Sequence, residues 1–263
     1  MDLMLVLGIL AAVFFVTLTL MCLYRDHINI KVCNIIFVVC DLIFYFIWNL
    51  GMYENGWLKS GFVTLGNISP MIFTMIPLTV FMNEKTKQYA YSAIAFLWVG
   101  MFGALFISPE YAYIFDYRRE ATALYTGEAL CHMLASLFGV YLILTRQVKL
   151  NFQSWIRSIV FMYSVILFGV FLNYFFNKHN FGMDPYGNYS IYFLNIFGTF
   201  EATLVAYLLG VLTVLTLGME VGYLLDRLVT PKTKLPLTDL EDEEREIEPL
   251  DLTKVRWDFT RKG

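Results

Sequence analysis

The chain has 263 residues, of which 58% are hydrophobic, 17% aromatic and only 16% charged. Soluble domains are usually about 45–50% apolar and about 25% charged, so this composition is typical of a membrane protein. The net charge of −3 and the lack of a basic cluster exclude an ordinary nucleic-acid-binding protein.

Seven apolar stretches are long enough to cross a bilayer, for which a helix needs roughly 20 residues. Inside a membrane only helices and closed barrels satisfy the backbone, and continuous apolar runs exclude barrel strands. We therefore predict an all-α, polytopic bundle of about seven transmembrane helices within residues 1–228. The predicted spans are Leu3–Tyr24, Cys33–Tyr53, Gly61–Met82, Tyr89–Ile107, Ala123–Thr145, Trp155–Phe176 and Thr203–Leu228.

The segments between these spans differ in positive charge. One set carries ten lysines and arginines, whereas the opposite set carries four. Because positive residues are enriched on the cytoplasmic side, we predict a multi-pass protein of the cell membrane with its N-terminus outside and its C-terminus in the cytoplasm.

The C-terminal segment, residues 229–263, differs from the rest of the chain. It contains three prolines and nine of the 22 acidic residues. Such a composition cannot build a packed core, so we predict a flexible, charged cytoplasmic tail. The tail is either simply solvated or offers "DLTKVRWDF" as a docking segment for a cytoplasmic protein partner.

The stretch "GEALCHML" places Glu128 and His132 four residues apart in the fifth predicted span. Residues at this spacing share one face of a helix. Ionisable groups inside a bilayer cost at least a few kcal/mol, so they usually face the bundle interior and mark functional sites. We predict that both line a polar pocket, with His132 as acid or base and Glu128 as the group that orients it.

Other spans carry polar residues that we expect at the same pocket. Asp41 is either protonated or paired with His132. The pattern also fits hydrogen bonds that only hold helices together. No serine, cysteine or threonine is clearly paired with His132 along the sequence, and we expect no metal and no cofactor. The additional pocket residues are Asp41, Asn49, Asn67, Asn173 and Glu201.

Three motifs resemble the YwaF-like integral membrane proteins. "HMLASLFGVYLIL" matches that family's histidine span at His132, and "LNYFF" matches its asparagine–tyrosine pair at Asn173 and Tyr174. "FLNIFGTF" resembles the segment before the last helix, with Gly198 at the glycine position. The resemblance implies a similar bundle with a pocket around His132 and adds Tyr174 to it.

Animal relatives of that family are phospholipid acyltransferases that use a cysteine and a histidine. Here "SPMIFT" keeps Pro70 but has Thr74 at the position that the resemblance assigns to the cysteine. Whether the chain is an enzyme therefore stays open.

Two functional interpretations remain. In the first, the pocket opens to the outside and binds or modifies a membrane lipid or a small ligand. In the second, the chain is a non-catalytic, transport-like protein or a structural subunit of a membrane complex. The apolar inner halves of the predicted spans favour the first, because a transporter needs polar groups at both depths.

Overall fold

The computed structural model describes residues 3–54, 68–107, 122–176 and 196–230. Within these ranges the chain is helical and has no strand. A short 3₁₀ turn, Arg25–His27, follows the first helix. The seven α-helices are α1 (Leu3–Leu23), α2 (Ile30–Glu54), α3 (Ile68–Leu78), α4 (Glu84–Ile107), α5 (Ala123–Leu144), α6 (Phe152–Phe176) and α7 (Phe200–Val229).

Six of these helices are long and apolar enough to cross a membrane, as in a multi-pass membrane protein. The third predicted span, Gly61–Met82, is different. Its first seven residues lie outside the described ranges, and its helix is described only over the 11 residues of α3. After Pro77 the helix ends in a turn, in which Thr79 donates its backbone N–H to Met75 and Ile76. The number of seven membrane spans therefore stays a prediction, whereas the described residues contain six candidate spans.

Several helices begin earlier than hydropathy predicted, because polar caps extend them. The side chains of Asn29, Asn83 and Asn151 accept hydrogen bonds from backbone N–H groups in the first turns of α2, α4 and α6. Thr122 and Thr199 cap α5 and α7 in the same way. Such caps satisfy orphan N–H groups and contribute about 1 kcal/mol each. A hydropathy window does not see them because the capping residues are polar.

The helices run in alternating directions. Asn34 at the start of α2 and Gln88 at the start of α4 both hydrogen-bond Gln147, which follows α5. On the same side, the Arg25 guanidinium after α1 lies 2.8 Å from an oxygen of Asp226 near the end of α7. This side, called here the basic end, carries all eight lysines and arginines of the described residues, namely Arg25, Lys31, Lys85, Lys87, Arg146, Lys149, Arg157 and Arg227.

Helix α5 lies at the centre of the bundle, and 89% of its most apolar window is buried. Two glycines allow its neighbours to approach closely. A Cβ atom on Gly127 would lie 2.5 Å from the backbone nitrogen of Trp48 in α2, and one on Gly139 would lie 2.7 Å from the Ile94 carbonyl oxygen in α4. Small residues at such crossings let membrane helices pack backbone against backbone. The side chains of α5 therefore face protein on all sides.

The predicted division of the chain at residue 228 falls within one residue of the end of α7 at Val229. The description ends at Thr230, so the predicted tail from residue 231 onward lies outside the described residues. Its flexibility and its protein partner remain predictions.

Candidate functional site

His132 is held near the middle of the central helix, with only 2% of its surface exposed. Its Nδ1 lies 2.9 Å from the backbone carbonyl oxygen of Glu128, one turn earlier in α5. Its Nε2 lies 2.9 Å from the Oγ of Ser69 in α3. The Phe73 ring stands nearly perpendicular to the imidazole, with 5.1 Å between ring centroids. Both ring nitrogens are therefore engaged, each by a different helix.

These two bonds determine which imidazole nitrogen carries the proton in the neutral ring. A backbone carbonyl can only accept, so Nδ1 must be the donor toward Glu128. Nε2 is then the unprotonated nitrogen, and it accepts the hydrogen of the Ser69 hydroxyl. Ser69 was missed as the partner of His132, because the two residues are 63 positions apart in the chain. The sequence feature that could have indicated Ser69 is the tripeptide "ISP", which places a serine in an apolar stretch.

A cavity of about 430 Å³ adjoins this pair, on the half of the bundle away from the basic end. Ser69 is one of its wall residues, so the partner of His132 borders the empty volume. Most of the wall is aliphatic, and its hydroxyl-bearing residues are Ser69, Thr203 and Tyr207. The cavity lies between α3, α4 and α7, and its wall also includes Ile68, Leu97, Gly100, Met101, Ala104, Phe197, Ala206, Gly210, Val211 and Val214.

Small residues explain why a cavity exists at this height. Gly210 borders it, and a Cβ atom placed there would meet no described residue of another helix within 4 Å. Ala104 and Ala206 also contribute little volume to the wall. Toward the basic end the same two helices touch, because Gly218 brings α7 against the Phe96 carbonyl of α4. The cavity is therefore closed on the basic side by helix contact.

A second group of hydroxyls lies near the pair. Thr74 in α3 donates to the Pro70 carbonyl at 2.9 Å, and its oxygen is 3.4 Å from the hydroxyl of Tyr45 in α2. The position that the family resemblance assigns to a cysteine thus carries a hydroxyl already bonded to its own helix. We infer that Thr74 helps join α2 to α3.

Glu128 and His132 share a face of α5, as their spacing predicts. The group of Glu128 that bonds Nδ1 is its backbone carbonyl. The orienting role predicted for Glu128 is thus performed by its main chain, which any residue at this position would also provide. Glu128 itself is half-buried.

Asp41 is fully buried at the middle of α2, but it does not pair with His132. Both of its carboxyl oxygens lack a hydrogen-bond partner among the described residues. Contacts on either side of Asp41 along α2 place it opposite α5. Trp48, two turns later, contacts Gly127, and the ring of Phe37, one turn earlier, contacts that of Phe138. Asp41 therefore sits in the α2–α5 contact, away from the cavity wall.

Of the remaining predicted residues, Asn49, Tyr174 and Glu201 are described. Asn49 is half-buried and donates to the Tyr45 carbonyl of its own helix at 2.7 Å. Tyr174 is 89% exposed at the end of α6, and Glu201 is exposed at the start of α7. Asn67 and the side chain of Asn173 lie outside the described part of the chain. Ser69 and Phe73, which contact the His132 ring, were not among the predicted residues.

The described residues contain no group of three or more His, Cys, Asp and Glu side chains placed to hold a metal ion. The chemistry available at the cluster is that of a hydroxyl, an imidazole and an apolar cavity. Comparison with family models, with curated proteins and with solved structures gives no match to this chain. The resemblance to YwaF-like proteins therefore stays a prediction.

Proposed function

We propose that this chain is a multi-pass protein of the cell membrane that binds a lipid, with an acyl chain in the cavity between α3, α4 and α7. The observation that carries the proposal is the position of Ser69, which borders the apolar cavity and also bonds His132. A long apolar wall with a polar group at one place matches an acyl chain that ends in a carbonyl or headgroup.

The size and chemistry of the cavity support a lipid over a small polar ligand. Ligand pockets are usually about 300–1,000 Å³, and polar groups in them are few and fix orientation. A volume of about 430 Å³ falls within this range. A charged ligand would find no fixed counter-charge among the described wall residues, and burying it there would cost several kcal/mol.

The surroundings of the cavity also favour a membrane lipid. Next to the wall residues of α7, Val205 and Leu209 are each 56% exposed. In a bilayer this outer surface of α7 contacts lipid, so an acyl chain reaches the cavity without crossing water. If the basic end is cytoplasmic, the cavity lies in the outer half of the membrane.

Closure toward the basic end favours binding over transport. At Gly218 the backbones of α4 and α7 are in contact, and the Trp98 indole N–H donates to the Gly218 carbonyl at 3.2 Å. A transport path would have to open this contact. The site is thus a pocket that is closed toward the basic end and accessible from the other half of the bundle.

A cavity-filling substitution tests the proposal. Gly210→Leu adds a side chain at the cavity wall, where the first added atom meets no described neighbour on another helix. We expect photocrosslinking by a phospholipid that carries a diazirine on its acyl chain to fall about tenfold, because a filled cavity excludes the chain. Crosslinked peptides from the purified protein in lipid nanodiscs are identified by mass spectrometry.

The matched control is Gly8→Leu in α1, where an added Cβ also meets nothing within 4 Å but borders no part of the cavity. Crosslinks to α4 and α7 should persist in this control. Equal crosslinking of these helices in both variants would overturn the proposal.

A further inference from the structure

We propose that Ser69 and His132 form a nucleophile–base pair that cleaves an ester bond of the bound lipid. The inference rests on the proposed function, since the cavity supplies the substrate. It draws on three features together: the Ser69–His132 hydrogen bond, the fixed orientation of the imidazole, and the place of Ser69 in the cavity wall.

The geometry is that of an activated hydroxyl. A serine becomes a nucleophile when a base lies within about 2.6–3.2 Å and a third group orients that base. Here Nε2 lies 2.9 Å from the Ser69 oxygen, and the Glu128 carbonyl lies 2.9 Å from Nδ1. The third group is a backbone atom of the same helix, so the imidazole ring is held by rigid structure.

The hydrogen bond of the Ser69 hydroxyl differs from those of other hydroxyls in the described helices. Hydroxyls inside membrane helices often return a hydrogen bond to a carbonyl three or four residues earlier, and seven described hydroxyls bond the carbonyl four residues earlier. Ser69 instead bonds a ring nitrogen on another helix. The seven are Thr19, Thr74, Ser136, Thr145, Thr203, Thr213 and Thr216.

The reaction balances with water as its second substrate. His132 Nε2 takes the hydroxyl proton while Ser69 Oγ bonds to the carbonyl carbon of the ester. The ester C–O bond then breaks, and the leaving alcohol takes the proton from Nε2. Water next attacks the acyl-serine and gives one proton to Nε2. That proton returns to Ser69 Oγ as the acid leaves, so the net change is ester plus water to acid plus alcohol.

A fluorophosphonate with a long alkyl chain tests the pair directly, because an activated serine displaces its fluoride and keeps the phosphonate. We expect the full-length protein in nanodiscs to be labelled, with peptide mapping to Ser69. Ser69→Ala should abolish labelling. His132→Gln should slow it at least about a hundredfold, since a general base typically contributes that much or more.

Ser136→Ala is the matched control. This hydroxyl lies one turn from His132 and bonds its backbone carbonyl at 2.8 Å, not its ring. We expect labelling to be unchanged in this variant. If His132→Gln does not fold, the decision rests on Ser69→Ala, which removes one oxygen from a half-buried residue.

Crosslinking by the diazirine phospholipid separates this inference from the proposed function. Ser69→Ala should retain crosslinking, because the apolar wall is intact. A protein that crosslinks the lipid but is not labelled at Ser69 would overturn the ester cleavage and leave lipid binding in place. Labelling at Ser69 without lipid crosslinking would support an activated serine and overturn the lipid as its substrate.

Discussion

The two halves of the α4–α7 contact use glycine in opposite ways. Near the basic end, Gly218 has no side chain because the Phe96 carbonyl of α4 occupies that space. On the far half, Gly210 has no side chain, and no described residue of another helix lies within 4 Å of the Cβ position. One glycine joins the helices, and the other leaves the cavity open.

This difference shows that a small residue in a membrane helix can either allow close helix packing or leave space unfilled. The small residues Ala206, Gly210, Gly218 and Gly222 stand four or eight residues apart along α7. A stripe of this kind is usually interpreted as a packing surface. Here Gly218 packs against the Phe96 backbone of α4, whereas Gly210, two turns earlier, borders the cavity.

The largest effect is expected where the helices touch. Gly218→Val would drive its side chain into the Phe96 backbone, which cannot move aside as a flexible side chain can. Overpacking of this kind costs on the order of 3 kcal/mol, and a backbone clash lies at the upper end of the range. Thermal unfolding in detergent should show a large loss of melting temperature or no folded protein. A near-native melting curve would contradict the close contact.

An intermediate effect is expected from the hydrogen bond at the same height. Trp98→Phe keeps an aromatic ring but removes the indole N–H that donates to the Gly218 carbonyl at 3.2 Å. Interhelical bonds in membranes contribute about 0.6–1.7 kcal/mol, so we expect a destabilisation of about 1 kcal/mol. The same melting assay measures it, and Trp155→Phe, which loses its bond to Thr216 at the α6–α7 contact, gives a comparison. No loss of stability would show that the Trp98 hydrogen bond does not help to hold α4 against α7 toward the basic end.

The smallest effect is expected in the open half. Gly210→Ala adds a methyl group where there is space, so the melting temperature should stay the same or rise slightly. Alanine favours a helix over glycine by about 0.8–1 kcal/mol, which sets the upper limit of the gain. If Gly210→Ala destabilised the protein as Gly218→Val does, the two halves would not differ and the cavity would be closed.

Much of the architecture was predictable because the bilayer leaves few choices. The apolar stretches gave six of the helices to within five residues at either end, and the caps at Asn29 and Asn83 explain the earlier starts of α2 and α4. The eight described lysines and arginines lie at one end of the bundle, whereas the four predicted on the opposite side lie outside the described ranges, so the charge asymmetry and the orientation stay predictions. These properties depend on the composition of short stretches of chain, so they can be predicted from the sequence of each stretch alone.

The site was only partly predictable. His132 is identified by its cost in an apolar helix, and Glu128 by its spacing from it. Ser69 could not be assigned as the partner, because its bond to Nε2 depends on how α3 packs against α5. The sequence left Asp41 either protonated or paired with His132. The structure shows no hydrogen bond from its carboxyl group among the described residues and places it in the contact between α2 and α5.

The sequence by itself determined that this is a helical bundle with an imidazole inside it, since hydrophobic length and the cost of a buried polar group act residue by residue. Only the tertiary structure decided what that imidazole touches and where empty space remains. Both depend on distances between helices, and those are set by which small residues meet a neighbour and which face nothing. Gly218 and Gly210 are the same residue on one face of α7, and their neighbours alone make one a contact and the other the wall of a cavity.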